Sequence, residues 1–158
     1  MTISDSTLDA LMAHFNGMPP VAAMQPAIAG HGDGHLRLSA PLAANINDKG
    51  CAFGGSLVSL MTIAAWGLVF VELAEAGIEA DIYVADSRVR YLKPVFEDLV
   101  ADATFDDPGE RAVLAETLRK QGRASIRLKS ESLLADGGVA ATFVGRYVAI
   151  MRNASWAG

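Results

Sequence analysis

Apolar residues recur along this chain with two different periods, and one long stretch has no polar face at all. Near the N-terminus Leu8, Leu11, Met12 and Phe15 fall at helical spacing and predict an amphipathic helix over 6–16. Asp5 or Ser4 can cap it, and Gly17 followed by Pro19 and Pro20 ends it. A strand is expected over 21–28. A clearer one covers 35–42, where Leu36, Leu38, Ala40 and Leu42 alternate with His35, Arg37 and Ser39. After a polar loop, the segment 53–76 carries no charge until Glu72 and predicts a helix apolar on every side, stopped by Gly77. Period-two alternation returns over 81–93. There Tyr83, Ala85, Ser87, Val89 and Tyr91 share one face, and Asp86, Arg88 and Arg90 the other, until Pro94. A further strand is expected over 99–105. Asp107, Pro108 and Glu110 suit the cap, the first position and the reciprocal cap of a short helix closed by Gly122. Strands over 124–134 and 139–151 follow, joined by the turn Ala135-Asp136-Gly137-Gly138.

Strands that follow one another without regular crossovers indicate an α+β domain with a largely antiparallel sheet. A helix without a polar face must be covered all round, so that sheet is expected to wrap it. A chain of 158 residues suits one domain over 1–158, and 51% hydrophobic residues suffice for its core. The net charge of −5 argues against nucleic acid as a partner. One cysteine rules out an internal disulfide, and His31 with His35 makes two ligands without a spaced carboxylate, so no metal is expected. The first nine residues hold two aspartates and no base, unlike a secretory signal, and a cytoplasmic location is expected. The uncharged run 51–71 is long enough to cross a bilayer. Gly54, Gly55, Ser56, Ser59, Thr62 and Gly67 dilute it, however, and a buried core helix is the expectation.

The chemistry concentrates where the polar loop meets this helix, in NINDKGCAFGGSLVSL over 45–60. A helix start offers unpaired N–H groups and partial positive charge. Gly54 and Gly55 would let an oxygen that gains negative charge approach those groups, or would let the helix pack closely on the sheet. Asp48 is the nearest carboxylate. It reads as a general base or nucleophile, or as a turn residue bonded to its own backbone. Asn47 can hold a water or a carbonyl, or serve the same turn. Ser56 and Ser59 can orient water, or cap and line the helix, and Thr62 suits a bond to the helix backbone. Cys51 has no histidine near it in sequence and reads as a small buried residue.

The stretch from Asn47 to Gly55 has the spacing of a pattern found in many acyl-CoA thioesterases of the phenylacetyl-CoA type: Asn, two residues, Gly, two residues, His-Gly-Gly. Phe53 stands here where the histidine would be. The whole string over 45–60 resembles more closely the thioesterase-like domain at the C-terminus of YiiD-type proteins, within the hotdog superfamily. The resemblance implies a hotdog fold, an antiparallel sheet wrapped around a long central helix. It also implies a homodimer or homotetramer with the site between subunits, and hydrolysis of an acyl thioester of coenzyme A or acyl carrier protein without a cofactor. On that pattern Gly54 and Gly55 hold the thioester oxygen, and Asn47, Asp48 and Ser56 serve the attack. Phe53, Ser59 and Thr62 would line the substrate. Arg90 or Lys93 could meet the phosphates of coenzyme A, while the plainer reading of Asp86, Arg88 and Arg90 is a solvated outer face with an Asp–Arg pair. The chain departs from the pattern at Thr62, where such thioesterases place a carboxylate. That departure supports a second expectation, a non-catalytic acyl-thioester-binding or assembly module. A hydroxyacyl-thioester dehydratase fits less well, because all three histidines precede the motif.

Overall fold

The C-terminal strands build the frame. The computed structural model describes residues 2–152; residues 1 and 153–158 of the expected 1–158 domain lie outside the described residues. In chain order the elements are α1 (Asp5–Asn16), α2 (Pro19–Met24), β1 (Ala27–Gly32), β2 (His35–Ala40) and α3 (Gly54–Glu75). They continue with β3 (Ala80–Tyr91), β4 (Leu99–Phe105), α4 (Pro108–Gln121), β5 (Arg123–Leu133) and β6 (Val139–Met151). The six strands form one sheet in the order β1-β2-β4-β5-β6-β3, and every neighbouring pair is antiparallel. On β5 the residues Ala124, Ile126, Leu128, Ser130 and Ser132 point inward and Arg127 and Lys129 outward. One buried face per strand is what an antiparallel sheet over a core produces.

That core is α3. Leu60, Met61, Ala64, Ala65, Leu68 and Val69 are all but inaccessible, and β2, β3, β4, β5 and β6 all pack on the helix. Among the described residues α3 is the one helix long and apolar enough to cross a membrane, yet here the sheet wraps it. Burying each such side chain contributes about 1.5–3 kcal/mol. The remaining side is closed by α1, whose stripe of Leu8, Leu11, Met12 and Phe15 packs on the core with Leu11 and Phe15 fully buried. Of the two caps offered by the sequence, Ser4 serves: its Oγ accepts from Thr7 N–H at 3.3 Å. The Ser4 backbone N–H also donates to Glu75 Oε1 at 2.9 Å and ties the start of α1 to the end of α3.

Several sequence expectations need correcting. Residues 21–24 are helical, not extended. Pro19 and Pro20 start α2 with φ already near helical values and no N–H to waste, and Gln25 ends it in the left-handed region at φ 56°. The face assignment of β3 fails at its start. A bulge between Val84 and Asp86 inserts an extra residue, so Ile82 packs on the core together with Val89 while Tyr83 is exposed. The helix after Asp107 is a full 14 residues. Asp107 caps it, accepting from Gly109 N–H at 2.8 Å, but Glu110 does not reciprocate; its carboxylate accepts from Arg127 instead. The helix is pinned by Arg111, which donates to Glu72 at 2.9 Å on α3 and reaches Asp33 at the β1–β2 turn. Arg111 holds the Asp33 carboxyl below its ordinary range, and the same guanidinium lies 4.9 Å above the Phe105 ring.

Candidate active site

The loop over 45–53 is built by its asparagines. Asn45 is buried, donating from Nδ2 to Met24 O at 3.0 Å and Pro41 O at 2.8 Å, while its own carbonyl accepts from Phe53 N–H at 2.7 Å and closes the loop. Asn47 Oδ1 accepts from Lys49 N–H at 2.8 Å and Cys51 N–H at 3.1 Å. Such side-chain-to-backbone bonds replace a backbone turn, and Gly50 supplies the left-handed residue it needs, at φ 82°. Asn47 Nδ2 donates to the buried Cys51 Sγ at 3.2 Å. Asp48 stands with its side chain 84% exposed, 3.0 Å from Lys49 Nζ.

The loop delivers the chain into α3 at Phe53, the N-cap residue, which has no side-chain cap bond. Ser56 was the expected cap but sits inside the first turn, buried. Its N–H and that of Leu57 donate to Phe53 O at 2.9 and 3.1 Å. The N–H groups of Gly54 and Gly55 have no hydrogen-bond partner among the described residues. The two glycines have different surroundings. A Cβ on Gly55 would come within 2.9 Å of Phe53 Cζ, so the bare position is where the Phe53 ring lies. A Cβ on Gly54 would stand 3.6 Å from the Tyr91 ring, an ordinary contact.

Tyr91 was not among the sequence candidates. It arrives from the end of β3, and its hydroxyl donates to Gly54 O at 3.3 Å. No local pattern marks this contact, which joins positions 37 apart. Phe53, Tyr91 and Phe96 are 56%, 56% and 64% exposed, and with Ile46 and Leu92 they make an apolar rim on the loops that frame the helix start. Ala52 N–H donates to Val95 O at 2.8 Å and joins the two loops of this rim.

Further along α3, Gly55, Ser59 and Thr62 lie on one half-buried stripe. Thr62 Oγ1 donates to Val58 O at 2.7 Å, the helix-backbone bond its sequence position suggested. Thr62 O in turn accepts from the hydroxyl of Tyr147, whose phenol is pushed well above its ordinary value by burial. The structure thus brings Phe53, Gly54, Gly55, Ser56, Ser59 and Thr62 together on the first turns of one helix, with Asn47 and Asp48 on the loop leading to it. Arg90 is not brought to the helix start. It neighbours Tyr91 on β3 and so faces the opposite side of the sheet, while Lys93 lies just past the strand; neither is in an ion pair among the described residues. The three histidines are elsewhere, His14 against Trp66 and Phe70 and His35 3.1 Å from Asp102. Among the described residues no three His, Cys, Asp or Glu side chains gather as a metal would require.

A curled antiparallel sheet around one long helix, with bare amides at that helix's start, defines a hotdog-fold protein of the thioesterase type. The chain belongs to the family described as "Putative thioesterase (yiiD_Cterm)", whose model matches residues 9–151. It is similar to the solved structure of a "putative thioesterase" from Shewanella oneidensis. The identity is 31% over 93% of this chain and 99% of that one, with a TM-score of 0.82. It is likewise similar to the protein OLEI01261, of unknown function, from Chlorobaculum tepidum TLS. That match has 28% identity over 90% of this chain and 93% of the other, with a TM-score of 0.84.

Proposed function

We propose that this protein hydrolyses an acyl thioester of coenzyme A or acyl carrier protein, with the thioester oxygen held at the start of α3. The observation that carries this is the pair of N–H groups at Gly54 and Gly55, without partners among the described residues and beside an apolar rim, in a chain of a thioesterase family. Charge that develops on the carbonyl oxygen meets two preset donors and the positive end of a 22-residue helix. Asp48 takes a proton from water as the hydroxide adds to the carbonyl carbon. The C–S bond then breaks, and the thiolate recovers the proton. Asn47 keeps the loop that carries Asp48 in shape. Lys93, in no ion pair among the described residues, is the cation for the carrier's phosphates.

In the single chain Asp48 is open to solvent, so a second subunit closes the site over it in a homodimer or homotetramer. The edge strand β3 supports this assembly: it is 12 residues long, exposes Tyr83 and Val84, and has no neighbour on its outer side among the described residues. Sedimentation is expected to show a dimer or tetramer, and Val84→Lys is expected to shift it toward monomer. A monomeric wild type at working concentration would remove the shared site.

The test of activity is a panel of acyl-CoA thioesters with free thiol followed over time. Release by the wild type that falls to background in Asp48→Ala supports the enzyme. A second reading, a non-catalytic acyl-thioester-binding module, has its own support: α3 carries no carboxylate before Glu72, and Glu72 is engaged by Arg111. Binding of the same thioesters without thiol release would favour it.

A further inference from the structure

The stripe that begins at Gly55, Ser59 and Thr62 continues through Trp66 and Phe70 toward the far end of α3. Trp66 interrupts it. The indole N–H donates to Ile82 O on β3 at 2.9 Å, and the ring stacks on Phe70 with centroids 5.5 Å apart and planes inclined by 16°. His14 of α1 stands against both rings, 5.9 Å from Trp66 and 4.9 Å from Phe70. Behind this group lies a pocket of about 400 Å³, partly open to solvent, lined by His14, Phe70, Leu73 and Ile82 and also by Glu79 and Arg152. Trp66 touches three of those residues, His14, Phe70 and Ile82, yet does not itself line the cavity. The aromatic stack therefore partitions the upstream stripe from the space beyond.

We propose that Trp66 is the end wall of the acyl site and sets the longest chain accepted, with the cavity behind it as unused acyl space. This rests on the acyl-thioester reading above and adds the substrate's length to it. From Gly55 to Trp66 is about three helical turns, roughly 16 Å. An extended chain of carbons joined by bonds of ~1.5 Å advances ~1.3 Å per carbon. About twelve carbons then fit between the helix start and the indole. A ring fixed along both its N–H edge and its flat side does not swing aside for one more methylene. Ser59 and Thr62, which precede it on the stripe, have small side chains.

The test uses thioether analogues of acyl-CoA from four to eighteen carbons, which bind without being cleaved. Their affinity for the full chain is measured by calorimetry, with thiol release from the matching thioesters in parallel. In the wild type, affinity is expected to rise about fourfold per added methylene, the worth of a buried CH₂, and to level off near twelve carbons. Trp66→Ala moves that plateau out to about sixteen carbons or more, as the chain enters the cavity. Thr62→Phe raises a new wall one turn nearer the amides, ~5.4 Å, and moves the plateau in by about four carbons. This second variant keeps the test valid if Trp66→Ala does not fold. A plateau that stays put in both variants, or a wild-type affinity that climbs unbroken to eighteen carbons, overturns the assignment of Trp66. Absence of binding and of thiol release at every length is a different result, and overturns the acyl-thioester reading on which the assignment stands.

Discussion

Gly54→Pro is expected to lower kcat/KM for acyl-thioester hydrolysis about 10²- to 10³-fold, the usual effect of removing one preset oxyanion donor. The melting temperature should stay within a few degrees of wild type. Both expectations come from the same local geometry. Gly54 is the first residue of α3, where proline is favoured because the N–H it lacks has no partner in the helix. The residue before a proline must be extended, and Phe53 already is, at φ −62° and ψ 129°. A Cβ added there meets Tyr91 at ordinary contact distance. The variant thus removes a donor and little else. Gly54→Ala is the control: it adds a Cβ at the same place, retains the N–H, and should retain the rate within a few-fold. Steady-state thiol release with both variants checks the pair. Undiminished activity in Gly54→Pro would show that this amide has no part in the reaction.

Phe15→Ala is expected to have the largest effect on stability, about 3–5 kcal/mol, the range for a large aromatic removed from a packed core. For a chain of this size that corresponds to a fall in melting temperature of roughly 6–20 °C. Phe15 has no accessible surface, sits 6.2 Å from the Trp66 ring, and with Leu11 anchors α1 in the core. A thermal melt followed by circular dichroism reads the change. A shift of only a degree or two would mean that α1 is an appendage, not the closing wall of the core.

The sequence announces the fold more clearly than the site. A helix without a polar face between runs of alternating strands has few solutions, and the wrapped helix is the one observed. The alternation of β5 survives residue for residue, because each inward position meets the same core. Failures came where local signals compete. Val21 to Met24 was expected in a strand, but Ala22, Ala23 and Met24 are good helix formers and the two preceding prolines set helical φ. The bulge in β3 is invisible in the pattern, since Ala85 suits either face. At the site, the glycine pair and its preceding loop were legible because turn chemistry is local. Tyr91 was not, because its contact with Gly54 spans 37 positions and exists only after β3 folds back along the helix. Asn45 escaped for a similar reason: one of its two partners is Met24 in α2, which pattern reasoning had assigned to a strand.

The place of α3 in the chain also bears on biosynthesis. The helix is complete at Glu75, whereas four of the strands that enclose it lie downstream, from Ala80 to Met151. At a synthesis rate of about 5–20 residues per second, the ribosome takes several seconds to deliver them. For that interval the nascent polypeptide presents an uncovered apolar rod, able to aggregate or to engage holding chaperones, until β6 emerges.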